Sequence, residues 1–174
     1  MSTTIDGALG LIREVPDFPE PGVLFRDISP VLADPAAFRV LTDALVAGLP
    51  AGTDAVVGIE ARGFILGAAV AYAAGLGLAT VRKPGKLPVV RHRVSYSLEY
   101  GTATLELPED TIRSGERVVI VDDVLATGGT VAATQELVEH AGGVVAGVSV
   151  ILELAALKAR DRLPGLDITA LLTA

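Results

Sequence analysis

The chain has 174 residues, 51% of them apolar, which is enough for one compact domain with a hydrophobic core and too few for two. Its net charge of −7 argues against a nucleic-acid-binding surface, because binding a phosphate backbone requires a basic face. The lack of cysteine excludes disulfides, thiolate metal ligands and a cysteine nucleophile, and fits a reducing compartment. The first residues mix charged with apolar side chains, unlike a signal peptide. We therefore expect a single cytoplasmic domain spanning residues 1–174.

A first helix is predicted after Asp34 and Pro35, a pair typical of a helix start. Apolar residues follow at helical spacing from Phe38 to Leu49, and the sequence Pro-Ala-Gly that begins at Pro50 ends the pattern. The spacing predicts an amphipathic helix.

Two later stretches each have the pattern of a strand, a helix and a second strand. Their elements are residues 55–59, 64–74 and 78–81 in the first stretch and residues 117–121, 131–141 and 144–152 in the second, with a glycine-rich loop over residues 122–130. Two such units predict an α/β fold with a mostly parallel sheet flanked by helices. The uncharged run over residues 63–80 is rich in alanine and broken by glycines, so we expect a buried helix and strand there and no membrane span.

Residues 91–107, between the two units, alternate polar and apolar side chains. In the second half of this stretch the polar set is Thr102, Thr104 and Glu106, and the apolar set is Ala103, Leu105 and Leu107. The alternation predicts an exposed antiparallel ribbon or flap that lies outside the parallel core.

The strongest motif is the run of β-branched residues 118–121 that leads through two aspartates into residues 124–130. Ligands of parallel α/β sheets bind at the carboxyl ends of the strands, so a site is expected in this loop. Gly128 and Gly129 let the backbone approach an anion, Thr127 and Thr130 add hydroxyl donors, and the start of the next helix adds partial positive charge. The loop is therefore predicted to bind a phosphate.

The loop lacks the lysine of a nucleotide P-loop and the glycine spacing of a dinucleotide-binding fingerprint, which excludes both classes. Asp122 and Asp123 are poor partners for a phosphate, but carboxylates beside a phosphate site accept hydrogen bonds from sugar hydroxyls. A sugar phosphate is the ligand that this pattern favours. The alternative is an aspartate-rich turn that only caps a helix.

Residues 118–130 resemble the phosphoribosyl-pyrophosphate signature of type I phosphoribosyltransferases, and the resemblance extends over most of the chain. It implies the α/β fold of that family, with a flexible antiparallel flap and a small N-terminal hood. It also implies a set of phosphoribosyl-binding residues, namely Asp122, Asp123, Ala126, Thr127, Gly128, Gly129 and Thr130.

Two basic stretches follow predicted strands in this otherwise acidic chain. Residues 60–63 place an arginine at a helix start, and residues 82–86 are Arg-Lys-Pro-Gly-Lys. A single arginine or lysine is more often a solvated surface charge, but the group fits a diphosphate. The resemblance implies that Ala61, Arg62, Arg82, Lys83 and Lys86 bind pyrophosphate, with Arg82 and Lys86 reaching across a dimer interface.

Residues 18–28 combine a rigid proline turn with Phe25, a ring on which a flat base could stack. Taken alone, Phe25 is better explained as a core residue. The stretch resembles the adenine-recognition segment of adenine phosphoribosyltransferases, which implies that Leu24 and Arg26 read the base through their main-chain groups.

Residues 95–101 lie in the predicted flap and resemble the catalytic loop of the same family. The resemblance implies that Glu99 donates or accepts a proton at the base and that Tyr100 closes over the site. A closing flap would shield the Glu99 carboxylate and raise its pKa toward neutrality, as this role requires. Taken alone, Glu99 reads as an exposed strand residue.

The resemblance implies a purine salvage enzyme, a pentosyltransferase that converts adenine and 5-phosphoribosyl 1-pyrophosphate to AMP and pyrophosphate. Mg²⁺ would arrive with the substrate, and the protein would be a cytoplasmic homodimer with neither a nucleic-acid nor a membrane partner. One alternative is a transferase for xanthine, guanine or hypoxanthine, although Leu24, Phe25 and Arg26 include no lysine for a 6-oxo group. A second is a non-catalytic sensor of phosphoribosyl pyrophosphate.

Overall fold

The structure is a computed structural model that describes residues 3–97 and 102–174. The chain forms two compact units, Met1–Ala44 and Leu45–Ala174. In the described residues, no helix has both the length and the apolar composition needed to cross a bilayer.

The smaller unit contains short helices and one antiparallel strand pair. Its elements are α1 (Ile5–Leu9), β1 (Arg13–Pro16), β2 (Leu24–Asp27), α2 (Ser29–Ala33) and the first part of α3 (Pro35–Ala47). The predicted cap of α3 is confirmed, because Asp34 Oδ1 accepts hydrogen bonds from the amides of Ala36 and Ala37 at 2.9 and 2.8 Å. The helix ends at Ala47, three residues before Pro50.

The larger unit holds the parallel sheet. Its elements after α3 are β3 (Ala55–Ile59), α4 (Arg62–Ala74), β4 (Gly77–Val81), β5 (Val90–Ser97), β6 (Thr102–Pro108), β7 (Arg117–Leu125), α5 (Gly129–His140), β8 (Val144–Glu153) and β9 (Ile168–Thr173). Five strands form the sheet in the order β4-β3-β7-β8-β9, and all neighbours are parallel. The predicted α/β class and mostly parallel sheet are confirmed.

The two faces of the sheet bury alternate residues of each strand, as the pleat requires. Ala55, Val57 and Ile59 of β3 belong to a core cluster that includes residues of α5 and of the β5–β6 pair. On the other face Gly58 lies against α4, where a Cβ would come within 2.9 Å of the Gly63 carbonyl oxygen. This close approach fixes the start of α4 over the end of β3.

Strands β5 and β6 form the predicted antiparallel ribbon, in which Ser95 pairs with Thr104. The expectation that the ribbon is exposed is wrong for its second half, because Leu105 and Leu107 pack into the core cluster. Glu106 was expected on the polar side and is instead fully buried. The arginine at position 93 pairs with it and makes this burial possible.

Two further differences concern the ends of the sheet. Strand β7 continues through both aspartates to Leu125, so the loop predicted over residues 122–130 is shorter and starts at residue 126. Strand β9, which the sequence did not predict, pairs with β8 at one edge of the sheet.

Candidate active site

Three segments follow adjacent parallel strands and so lie at the same edge of the sheet. They are the β3–α4 turn (residues 60–63), the basic turn after β4 (residues 82–86) and the phosphate loop after β7 (residues 126–130). All three belong to the larger unit. The structure therefore brings together the predicted phosphoribosyl and pyrophosphate residues.

Glu60 ties the β3–α4 turn to the basic turn. Its Oε2 accepts hydrogen bonds from the Lys83 amide at 3.0 Å and from Arg82 Nε at 3.3 Å. Burial alone would raise the pKa of Glu60, but the donors on Lys83 and Arg82 outweigh it and lower the pKa below its ordinary value. Glu60 is thus a carboxylate that orients its neighbours, a role that the sequence did not suggest.

Arg62 links the same turn to the end of β7. Its guanidinium forms an ion pair with Asp123, which is 5% exposed, whereas the Arg62 side chain is 46% exposed. The ion pair fixes the position of the Asp123 carboxylate, while part of the arginine surface remains in contact with solvent. The arginine can therefore meet an anion from solvent and still orient Asp123.

Asp122 has electrostatic surroundings that differ from those of its neighbour. Burial, followed by the negative charge of Asp123, raises the pKa of Asp122 well above the ordinary aspartate range. Gly63 packs directly on this residue, since a Cβ there would lie 2.8 Å from the Val121 carbonyl oxygen and 2.9 Å from Asp122 Oδ1. The pair can thus offer a sugar both a hydrogen-bond donor and acceptors.

The phosphate loop ends at the first turn of α5. Gly128 is the N-cap, with φ of +80°, and so supplies no capping side chain to the amides that begin the helix. These amides and the helix dipole suit an anion, and the Thr127 and Thr130 hydroxyls and the Ala126 main chain stand beside them. A Cβ on Gly128 would lie 3.1 Å from the Ala159 carbonyl oxygen, a tight contact that adds to the preference for glycine set by the positive φ.

Two residues near this loop were missed by sequence reasoning. Tyr96 of β5 places its hydroxyl 3.1 Å from Thr130 Oγ1, and its ring lies 3.3 Å from the Cβ position of Gly129. Arg162 Nη1 lies 3.8 Å from that Cβ position and adds positive charge at the helix start. Both are far from Gly129 in the sequence, so local motifs could not reveal them.

The basic turn is held by contacts on several sides. The Arg82 guanidinium lies 5.5 Å from the Phe64 ring centroid and donates to the Lys86 carbonyl oxygen at 3.3 Å. The side chains of Lys83 and Lys86 are exposed. The contacts of Arg82 therefore hold the turn in its conformation, and the two lysines place positive charge on its exposed surface.

The predicted base-binding residues form strand β2 in the smaller unit. Leu24 is 43% exposed, and Arg26 forms an ion pair with Glu14. Phe25 is partly buried and makes an edge-to-face contact with Phe18, with ring centroids 5.2 Å apart. An aromatic pair of this kind is a surface on which a flat base can stack.

The predicted catalytic residues Glu99 and Tyr100 lie outside the described residues. Strand β5 ends at Ser97 and strand β6 begins at Thr102, and these two residues pair with each other across the ribbon. Among the described residues, no group of three or more acidic, histidine or cysteine side chains is arranged to hold a metal ion.

Comparison with known proteins identifies the chain's relatives. A model of the phosphoribosyl transferase domain matches residues 34–164. Adenine phosphoribosyltransferase of Saccharopolyspora erythraea is 59% identical over 174 residues, covering 100% of this chain and 94% of that protein.

Solved structures agree. The crystal structure of adenine phosphoribosyltransferase from Thermoanaerobacter pseudethanolicus matches with a TM-score of 0.95 and 46% identity, covering 98% of this chain and 100% of that one. The Saccharomyces cerevisiae enzyme, complexed with an imino-altritol bisphosphate and adenine, matches with a TM-score of 0.88 and 34% identity, covering 96% and 99%. The chain belongs to the phosphoribosyltransferase family, among the adenine phosphoribosyltransferases.

Proposed function

We propose that the chain transfers a phosphoribosyl group from 5-phosphoribosyl 1-pyrophosphate to adenine, forming AMP and releasing pyrophosphate. The observation that carries the proposal is the meeting of an anion-binding helix start, the aspartate pair at the end of β7 and a basic turn at one edge of the sheet. High identity to adenine phosphoribosyltransferases over the whole chain supports adenine as the base. The whole chain would act as one phosphoribosyltransferase domain.

The phosphate loop would bind the phosphoribosyl group. Its 5-phosphate would accept hydrogen bonds from the amides at the start of α5 and from the threonine hydroxyls, and Asp122 and Asp123 would bind the ribose hydroxyls. The ligands on this side are Asp122, Asp123, Ala126, Thr127, Gly128, Gly129 and Thr130.

The two other segments would bind the leaving pyrophosphate. Ala61 and Arg62 would hold it from the β3–α4 turn, and Arg82, Lys83 and Lys86 from the basic turn. Mg²⁺ carried in with the substrate would neutralise part of the diphosphate charge. These positive groups favour departure of pyrophosphate with the bonding electron pair, which leaves positive charge on the sugar.

The base would lie against Phe25, with Leu24 and Arg26 reading its edge through their main-chain groups. A nitrogen of adenine bonds to the sugar carbon that pyrophosphate leaves, and the base gives up a proton. Glu99 would accept that proton, and Tyr100 would close over the site.

The cytoplasmic homodimer belongs to the same proposal. Helix α4 carries no charge after Arg62, and its outer side exposes Ile65, Ala68 and Tyr72, the last with 91% of its surface. A large exposed aromatic on an uncharged helix suits burial against a second copy of the chain. Since α4 starts at the pyrophosphate side of the site, such a dimer would place the partner beside it.

The test is an assay of the purified chain with adenine, phosphoribosyl pyrophosphate and Mg²⁺. AMP and pyrophosphate should form in equal amounts, and omission of phosphoribosyl pyrophosphate should abolish both. Absence of AMP in the complete mixture, with the protein folded, would refute the proposed activity.

A further inference from the structure

Glu106 is a buried carboxylate to which the proposed chemistry gives no role. It lies in β6 between two core leucines and has 0% of its surface exposed. An unpaired charge is costly to bury, so the partners of Glu106 explain why this position is acidic.

Both carboxylate oxygens of Glu106 have donors. Oε1 accepts hydrogen bonds from Arg93 Nε at 2.9 Å and Arg93 Nη2 at 2.6 Å. Oε2 lies 3.3 Å from the amide nitrogen of Gly85, in the middle of the basic turn. The side chain therefore joins strand β5 to that turn.

The main chain of Glu106 holds the start of the same turn. The Arg82 amide donates to the Glu106 carbonyl oxygen at 2.9 Å, and the Glu106 amide donates to the Arg82 carbonyl oxygen at 2.7 Å. One residue of β6 thus binds the turn at two points that are three residues apart.

Stability alone does not explain a buried carboxylate at this position, where its arginine partner is 61% exposed. Replacing buried charged groups and their partners by apolar residues is often neutral or stabilising, and Leu105 and Leu107 show that this strand already contributes to the core. What an apolar residue could not provide is an acceptor for the Gly85 amide. Gly85 has a positive φ of 77° and no atom within 4 Å of its Cβ position. Packing at that position therefore does not hold Gly85 in place.

We propose that Glu106 is a positioning residue that holds the basic turn in the shape that binds pyrophosphate. This inference rests on the proposed function, since it takes the turn to be a pyrophosphate site. Glu106 does not touch the ligand. It fixes the backbone that carries Lys83 and Lys86. Binding of the diphosphate then does not have to offset the conformational entropy lost when a mobile turn becomes ordered.

The test compares Glu106→Gln with Glu109→Gln. Glutamine keeps the size of the side chain but replaces one acceptor oxygen by an NH₂ group, so either Arg93 or the Gly85 amide faces a donor. Glu109 also pairs with an arginine, Arg91, at 3.1 Å, but it is partly exposed and bonds only to that side chain among the contacts described for it. It is the matched control.

Binding of magnesium pyrophosphate to the whole protein, without base, is measured by calorimetry, and steady-state kinetics give the KM values. Glu106→Gln should weaken pyrophosphate binding and raise the KM for phosphoribosyl pyrophosphate by roughly tenfold, the effect of losing one hydrogen bond to a charged group. The KM for adenine should stay within about twofold, and Glu109→Gln should match the wild type.

Folded Glu106→Gln protein with wild-type pyrophosphate affinity would overturn the proposal, and so would an equal rise in both KM values. If this variant does not fold, Arg93→Gln decides. Arg93 is 61% exposed, and its replacement removes the two hydrogen bonds that hold Glu106 Oε1, so the carboxylate is no longer fixed from β5. Arg93→Gln should weaken pyrophosphate binding severalfold, and an unchanged affinity would overturn the proposal. Wild-type protein that binds pyrophosphate but forms no AMP would refute the proposed activity. The comparison of pyrophosphate affinities would still test the role of Glu106.

Discussion

Asp122 and Asp123 are adjacent in the sequence but differ in their surroundings. Asp123 pairs with Arg62, whereas desolvation and then the negative charge of Asp123 raise the pKa of Asp122. Two like charges this close resist full ionisation, so the pair retains a proton over a wide pH range. Such a pair is well suited to a ligand with several hydroxyl groups.

The raised pKa predicts how Asp122→Asn changes stability with pH. A folded state that holds the Asp122 proton more tightly than the unfolded chain is stabilised at low pH, and that stability is lost as the pH rises through the folded pKa. Asparagine stays neutral. The variant should therefore match the wild type near pH 4 and be more stable by about 1 kcal/mol or more at alkaline pH.

Urea unfolding at several pH values measures this difference. A stability gap that is independent of pH, or one that favours the wild type as pH rises, would contradict the assigned charge state. The same substitution should weaken phosphoribosyl-pyrophosphate binding, because an amide does not present its donor and acceptor to the ribose hydroxyls as the Asp122 carboxyl group does.

Glu99 is the residue on which the proposed proton transfer depends. Replacement by glutamine should lower kcat by about 10²–10⁴-fold, the usual contribution of general acid-base catalysis. Binding of phosphoribosyl pyrophosphate should change little, because the base side of the site is altered and the phosphate side is not. Pre-steady-state turnover and direct binding separate the two effects, and unchanged turnover would remove Glu99 from the mechanism.

At the scale of secondary structure, local signals predicted most elements of the larger unit. Strand β3 has the predicted bounds, and α4 and α5 each start two residues before the predicted position. Strand β7 extends past its prediction because pairing with β8 continues to Leu125, and this non-local contact outweighs the polarity of the aspartates. Strand β9 depends on the same kind of pairing.

Strands β5 and β6 show why some residues around the candidate site could not be predicted from the sequence. Alternation placed Glu106 on a polar side, but Arg93 and Gly85 supply partners that let it enter the core. Tyr96 likewise meets Thr130 only after the chain folds. Motifs indicated the candidate binding residues that follow strands, whereas the residues that contact those candidates come from distant segments.

Gly63 offers a test of how tightly the β3–α4 turn packs on β7. A Cβ in Gly63→Ala would lie 2.8 Å from a carbonyl oxygen, so the backbone must shift. We expect a loss of about 1–3 kcal/mol in the free energy of unfolding, typical of overpacking, together with weaker pyrophosphate binding.

The control is Gly77→Ala, since no atom lies within 4 Å of the Gly77 Cβ position. That variant should stay within about 0.5 kcal/mol of the wild type in urea unfolding. Equal stability of Gly63→Ala and the wild type would show that the β3–α4 turn can accommodate a side chain at position 63 and is not tightly packed on β7.

At the scale of the whole molecule, the exposed face of α4 makes the proposed dimer testable. Tyr72→Lys places a charge on a face that Ile65 and Ala68 leave apolar, so it should shift the protein toward monomer. Light scattering after size-exclusion chromatography gives the mass. A Tyr72→Lys protein that remains a dimer would exclude this face as the interface, and a monomeric wild type would refute the dimer.

The general fold could be predicted from the sequence, and so could the position of the proposed phosphate loop between a strand and a helix, because strand, loop and helix signals coincide over residues 117–141. The base side could not be predicted with the same physical support. Residues 24–26 form a short strand whose proposed contacts with a base depend on main-chain groups, which leave no side-chain pattern in the sequence. Base identity is therefore the claim that most needs measurement.

The most direct measurement supplies the wild-type protein with phosphoribosyl pyrophosphate, Mg²⁺ and one purine at a time, and quantifies the nucleotide formed from adenine, guanine, hypoxanthine and xanthine. We expect AMP from adenine at a kcat/KM at least about 100-fold above that for any 6-oxopurine, because residues 24–26 include no lysine for the 6-oxo group and the Arg26 side chain is paired with Glu14. Nucleotide formed from guanine, hypoxanthine or xanthine but not from adenine would contradict adenine as the base.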